Sequence, residues 1–266
     1  MIPLKLIDES GTTFGVERIG NRQRVSTKDY FTEIAEGNIP NHSFISKFGF
    51  DDDVDTVHQE VWTGSRAYPY MTTAQTLYLS SSNTNDDQPY EIQGLDSNWI
   101  LQTATVTANG FNPITLPGTW IRIFRIKNMG ITNNAGIIYV HLDSTPGGDG
   151  IPDTIATDSK AEIAVGRNQT LMTMWAVPVN NTAYITNFYA SCSHATAKTG
   201  EIALWVRPFG GVFQTKKILS INSGQTATIK YDFPLKVEAK SDIRITAKSA
   251  SALTVSAGFD AWYEGV

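Results

Sequence analysis

The sequence predicts an all-β protein: a jelly-roll-like antiparallel β-sandwich preceded by an N-terminal extended arm that contains one short helix. Three observations carry this expectation. From Ala74 onward apolar and polar residues alternate in about a dozen short runs, the period of a half-buried strand. Charged residues make up 18% of the 266, below the ~25% usual in globular chains, and Thr, Ser, Asn and Gly take their place. That bias favours strands and turns over helices. Finally, Ser241 to Val266 holds two alternating runs back to back. Ile243, Ile245 and Ala247 share one face of the first; Leu253, Val255, Ala257, Phe259, Ala261 and Tyr263 share one face of the second. The short linker Ser249-Ala250-Ser251 suggests that the two fold into a closing hairpin.

Residues 1–70 read differently and are assigned to the arm. Ser26-Thr27-Lys28-Asp29 has the form of a capping box, and Tyr30, Phe31, Ile34 and Ala35 follow at helical spacing. Gly37, then Asn38-Ile39-Pro40, supplies the stop. Phe44, Ile45, Phe48 and Phe50 follow with weak periodicity, then the acidic run Asp51, Asp52, Asp53 and Asp55, then Trp62 and Tyr68-Pro69-Tyr70. Apolar residues without a compact arrangement of their own must be buried elsewhere, under the sandwich or in a neighbouring subunit. The partner interface is therefore placed on Tyr30, Phe31, Ile34, Phe44, Ile45 and Phe48.

Within the sandwich, residues 71–266, strands are expected at Leu77–Ser80, Tyr90–Leu95, Trp99–Ala108, Trp120–Lys127, Ile137–Leu142, Ala161–Val165 and Leu171–Val177. Ala183–Cys192, Glu201–Arg207, Val212–Ile221 and Ala227–Phe233 complete the set before the closing pair. Asp96-Ser97-Asn98 reads as a hairpin turn. No long linker divides the strands, so one domain is expected, with a split near residues 179–181 as the alternative.

Several function classes lose support. A net charge of −5 argues against direct nucleic-acid binding by a broad basic surface. No run of 18 apolar residues spans a membrane, and the N-terminal stretch lacks the apolar core of a signal peptide. The three Asn-x-Ser/Thr triplets, at Asn41, Asn168 and Asn180, are accordingly read as coincidental. The single Cys192 permits no internal disulfide. His42, His58, His141 and His194 stand at no metal or triad spacing, and no nucleophile elbow, phosphate loop or HExxH motif occurs. No enzymatic activity, cofactor or metal is expected. Gly147 to Asp153 has some calcium-loop character, with Asp143, Asp149, Asp153 and Asp158 as oxygen donors, but lacks the fixed alternation and is read as a surface loop. Trp99, Trp120, Trp175, Trp205 and Trp262 lie in or beside expected strands and are assigned to the core, although such residues could also line a sugar-binding face.

The segment Phe31 to Gly49, FTEIAEGNIPNHSFISKFG, followed by Val61-Trp62 and by VSAGFD at Val255 to Asp260, resembles a group of tailed-bacteriophage virion proteins. The shared signature is Gly-Asn…His-Ser…Lys-Phe-Gly in an N-terminal arm, and Ser-Asp-Ile-x…Ala-Gly-Phe-Asp in the closing strands. The resemblance spans most of the chain, and its motifs are structural rather than catalytic. It implies a capsid decoration or cement protein, homo-oligomeric, bound to capsid or other virion proteins and assembled in the host cytoplasm. A collar, tail or fibre component, or a carbohydrate-binding β-sandwich module, is the alternative.

Overall fold

The computed structural model describes residues 29–265 and four two-residue strands nearer the N-terminus, and the chain divides into two compact units, Met1–Pro40 and Asn41–Val266. In the first unit β1 (Leu6–Ile7) pairs with β2 (Thr13–Phe14), and β3 (Arg18–Ile19) with β4 (Arg22–Gln23), all antiparallel. Helix α1 (Tyr30–Ala35) follows. Asp29, the acid of the expected capping box, is itself the N-cap: its carboxylate accepts from the amides of Phe31 at 3.0 Å and Thr32 at 3.3 Å. Ser26, Thr27 and Lys28 lie outside the described residues. Gly37 ends the helix at φ +75°, a conformation that favours glycine.

The second unit is all-β apart from one short helix. Its elements are β5 (His42–Asp51), β6 (Gln59–Glu60), β7 (Tyr78–Ser81), β8 (Pro89–Leu95), β9 (Leu101–Thr107), β10 (Ile114–Thr115), β11 (Arg122–Asn128) and β12 (Ile138–His141). Then come α2 (Ile155–Asp158), β13 (Ser159–Ile163), β14 (Trp175–Ala176), β15 (Asn181–Ser193), β16 (Thr199–Arg207), β17 (Gln214–Asn222), β18 (Thr226–Val237), β19 (Asp242–Ser249) and β20 (Thr254–Gly265). They form four antiparallel sheets, ordered β18-β15-β20-β5, β17-β16-β19-β14 with β6 also on β19, β11-β8-β9, and β10-β7-β12-β13. Leu77, Leu79, Trp120, Ile138, Phe188, Ile245 and Phe259 belong to one buried apolar cluster shared by all four.

The boundaries differ from those expected. The separate N-terminal unit ends at residue 40, not 70, because β5 pairs with β20 along its whole length and Trp62 is fully buried in the core. Nothing divides the chain at residues 179–181, since Val177 and Ala183 share the same core. The closing hairpin is also corrected: β19 pairs with β16 and β20 with β15, so the two runs cross from one sheet to another. The expected faces are nonetheless right. Ile243, Ile245 and Ala247 are buried on β19, and Leu253, Val255, Ala257, Phe259 and Ala261 on or beside β20. Alternation reports which face is apolar, and both a hairpin and a sheet-to-sheet arch satisfy it.

The two edges of the β18-β15-β20-β5 sheet are unlike. On β18 the register jumps from Leu235 opposite Ile185 to Lys230 opposite Asn187, so Tyr231, Asp232, Phe233 and Pro234 bulge out beside Thr186, with Phe233 90% exposed. On the far side of β5, no strand is paired among the described residues.

Candidate functional site

Alternation along β5 sends Ile45, Lys47, Gly49 and Asp51 inward and Phe44, Ser46, Phe48 and Phe50 outward. Gly49 is required by close packing: a Cβ there would stand 2.1 Å from the Val61 carbonyl oxygen. Lys47 is buried, and its ammonium donates to the Phe124 carbonyl. Burial, with the nearby Arg125 cation, lowers its pKa well below the usual lysine value. Phe44 and Phe48 are 56% and 38% exposed, about 13 Å apart at the strand rise of ~3.3 Å per residue.

The outward face continues across the sheet. Phe44 lies opposite Trp262 of β20, which lies opposite Tyr184 of β15 and then Lys236 of β18. The Trp262 ring is stacked between Tyr184, at 4.2 Å, and His42, at 5.6 Å. Glu264 clasps the stack: one oxygen accepts from the Tyr184 hydroxyl at 3.0 Å, and the other lies 3.2 Å from His42 Nε2. That hydrogen bond raises the Tyr184 pKa. Two rows along, Phe48 lies opposite Gly258, over which the Tyr189 ring is laid; a Cβ on Gly258 would meet that ring at 2.4 Å. The outcome is an outward aromatic face in which the Trp262, Tyr184 and His42 rings are stacked and tied to Glu264, beside the exposed Phe44 and Phe48.

Of the six residues assigned to the interface, four are exposed. Tyr30 and Phe31 stand out from α1, 46% and 53% exposed, edge to face at 5.9 Å. Ile34 is buried, and Ile45 packs against the core of the second unit, so these two are not surface anchors in this chain. Tyr30 and Ile34, expected on one stripe, thus differ in exposure. Trp262, Tyr184 and Tyr189 were not in the expected set. The signal for Trp262 was present, since alternation sets it opposite the apolar face of the closing run.

Trp120 and Trp175 are in the core as expected, whereas Trp99, Trp205 and Trp262 are only partly buried. Other candidate chemistry serves structure. Ser80 and His141 are buried and bonded at 2.8 Å, but the Ser80 hydroxyl also lies 2.6 Å from the Gly150 carbonyl and donates to it. Its lone pair therefore receives the imidazole N–H, the reverse of nucleophile activation. Burial lowers the His141 pKa to about 4. Asp143 accepts from the amides of Thr145 and Asp153, and Asp149 from Ile151, so these carboxylates shape their own loop. Among the described residues no group of three or more His, Cys, Asp or Glu is placed to hold a metal. No described helix is long and apolar enough to cross a membrane.

The two motifs of the phage resemblance meet in this sheet. Lys47, Phe48 and Gly49 are paired directly with Phe259, Gly258 and Ala257. No family model and no curated protein matches the chain. Among solved structures, the infectious bursal disease virus Gt strain is similar at 11% identity and TM-score 0.22, covering 89% of this chain and 78% of that one. The infectious bursal disease virus VP2 subviral particle is similar at 9% identity and TM-score 0.22, covering 89% and 77%. At these TM-scores the likeness carries no argument about fold or function.

Proposed function

We propose that the protein is a non-enzymatic structural component of a bacteriophage particle, a capsid decoration or cement protein in the jelly-roll manner. It attaches through Phe44 and Phe48 on its body and Tyr30 and Phe31 on its arm. The observation that supports this reading is the outward aromatic face that runs from the edge strand β5 across β20 and β15, built at the pairing of the two phage-like motifs. An edge strand with outward aromatics is a liability for a free monomer and an asset for a subunit. The partners in this reading are capsid or other virion proteins and further copies of the chain, met during assembly in the host cytoplasm. Many copies on a symmetric particle convert modest contacts into avidity.

The test is the double variant Phe44→Ala with Phe48→Ala. The isolated protein should keep its melting temperature while its occupancy on particles, read by proteomics and immunogold labelling, collapses. A stable variant that still incorporates fully sinks the attachment role. Label at the collar or tail rather than the head would move the protein to those structures.

A further inference from the structure

A second site lies on the other large sheet and shares no residue with the aromatic face. A cleft of about 370 Å³ is lined by Trp99, Arg122, Arg207, Phe209, Lys240 and Asp242, among others. Asp242 bridges the two guanidiniums, at 2.6 and 3.0 Å from Arg122 and again at 2.6 and 3.0 Å from Arg207. One carboxylate thus faces three cations in a chain whose net charge is −5. Arg122 is further fixed by the Met71 and Ile121 carbonyls, both at 2.7 Å. Two donors are left over: Arg207 Nη1 and Lys240 Nζ donate to no described protein atom, and Lys240 instead sits over the Phe209 ring at 5.1 Å. Trp99 and Phe209 meet edge to face at 5.6 Å and form the aromatic wall, with the Arg122 guanidinium over the Trp99 ring at 4.9 Å.

The backbone adds an independent observation. Trp99 and Lys240 both have left-handed backbones, at φ +64° and +60°, where glycine or asparagine would sit at less cost. One segment holds both: the Val179 amide donates to the Trp99 carbonyl at 2.8 Å, and the Lys240 amide to the Val177 carbonyl at 2.9 Å. The chain thus places an indole and an ammonium at two disfavoured positions that line the same cleft.

We infer that this cleft binds a ring-bearing carboxylate, the acidic sugar unit of a glycan. The anion is called for by the surplus of cations and by two unspent donors beside guanidiniums that are already oriented. The ring is called for by the aromatic wall and by a volume near the lower end of the ~300–1,000 Å³ typical of ligand sites.

The test is titration of the full-length protein with N-acetylneuraminic acid, followed by calorimetry and by saturation-transfer NMR. Glucuronic acid, neutral N-acetylglucosamine and ribose 5-phosphate serve as comparison probes. Saturable binding of at least one acidic sugar is expected, weakened by added salt and absent with the neutral sugar. Lys240→Gly suits the left-handed backbone and removes the whole side chain with its ammonium, so it should weaken binding at least tenfold with no loss of melting temperature. Phe209→Ala, at an exposed loop position, should do the same. Equal binding of the neutral sugar, binding of the phosphate alone, or no binding by either sugar acid at millimolar concentration overturns the inference. So does undiminished affinity in a folded Lys240→Gly protein.

Discussion

The two strands of the β5–β20 ribbon follow opposite rules. On β20 the inward face is uniformly apolar, and Phe259, Ala257 and Val255 are fully buried. On β5 the bulky apolar side chains point outward, while the inward positions hold Ile45, Lys47, Gly49 and Asp51. Adjacent strands of one sheet therefore invest their hydrophobicity on opposite sides. A strand that spends its phenylalanines on solvent and buries a lysine is not optimised for the stability of its own domain. The contrast separates the residues that hold the fold from those available to a partner.

The sharpest way to break the comparison is to remove β5. A chain beginning at residue 71 lacks β5, β6 and Trp62, which leaves β20 unpaired on one side and the core open. It should fail to give a cooperative thermal transition, whereas a chain beginning at residue 41 should give one. A soluble, cooperative protein starting at 71 would show that β5 is an accessory.

Next in size is Phe259→Ala. Emptying this fully buried aromatic site should cost about 3–5 kcal/mol in urea unfolding, a large share of the roughly 5–15 kcal/mol a domain has in total. Thr254→Ala, on the opposite face of the same strand, should stay within about 0.5 kcal/mol. Equal losses at both would mean that the ribbon is covered on both sides.

Lys47 tests the inverted strand with the opposite sign. Its folded pKa lies below its unfolded value, so between the two the unfolded state binds more protons and stability rises with pH. Unfolding free energy should therefore climb as pH rises from 7, until the tyrosines whose pKa burial raises, Tyr68, Tyr70 and Tyr90 among them, turn the profile down above about pH 10. Lys160, with its pKa lowered to about 8 by burial, contributes in the same direction. The part due to Lys47 is the portion of that climb lost in Lys47→Met. This variant should also be more stable at pH 7, by on the order of 1 kcal/mol, because an apolar side chain escapes the cost of burying an ammonium. A variant that is less stable at pH 7 with an unchanged pH profile would contradict this account.

The smallest effect belongs to the outward face. Phe44→Ala with Phe48→Ala should change the stability of the isolated protein by no more than about 1 kcal/mol, as for ordinary surface positions. A loss as large as that of Phe259→Ala would place both rings in the core and remove them from the partner surface.

What the sequence disclosed follows from these rules. From β7 onward most strands carry their apolar residues on the buried side, and alternation found most of them, although Leu101 on β9, Ile218 on β17 and Phe233 on β18 are exposed. β14 shrinks to Trp175–Ala176 within the expected Leu171–Val177. β5 escaped because its pattern is inverted: Phe44, Phe48 and Phe50 face out, and the inward glycine answers to Val61, which alternation cannot show. Pairing partners were beyond reach for a related reason, since the closing run fixes a face but not a neighbour. The cationic cleft gathers Trp99, Arg122, Arg207, Phe209, Lys240 and Asp242 from stretches up to 143 residues apart, with no local motif to announce them.

The unequal edges of the β18-β15-β20-β5 sheet bear on how copies can meet. On one side, the Tyr231–Pro234 bulge and the missing amide of Pro234 break the edge into two short runs and disfavour an incoming strand. Among the described residues, the β5 side offers the longer uninterrupted edge, His42–Asp51. If two copies met there, β5 against β5, each would offer the other the same surface around a twofold axis, and the eight-stranded sheet would end in two bulged edges. Such a contact is self-limiting: it closes at two and cannot propagate into a fibre.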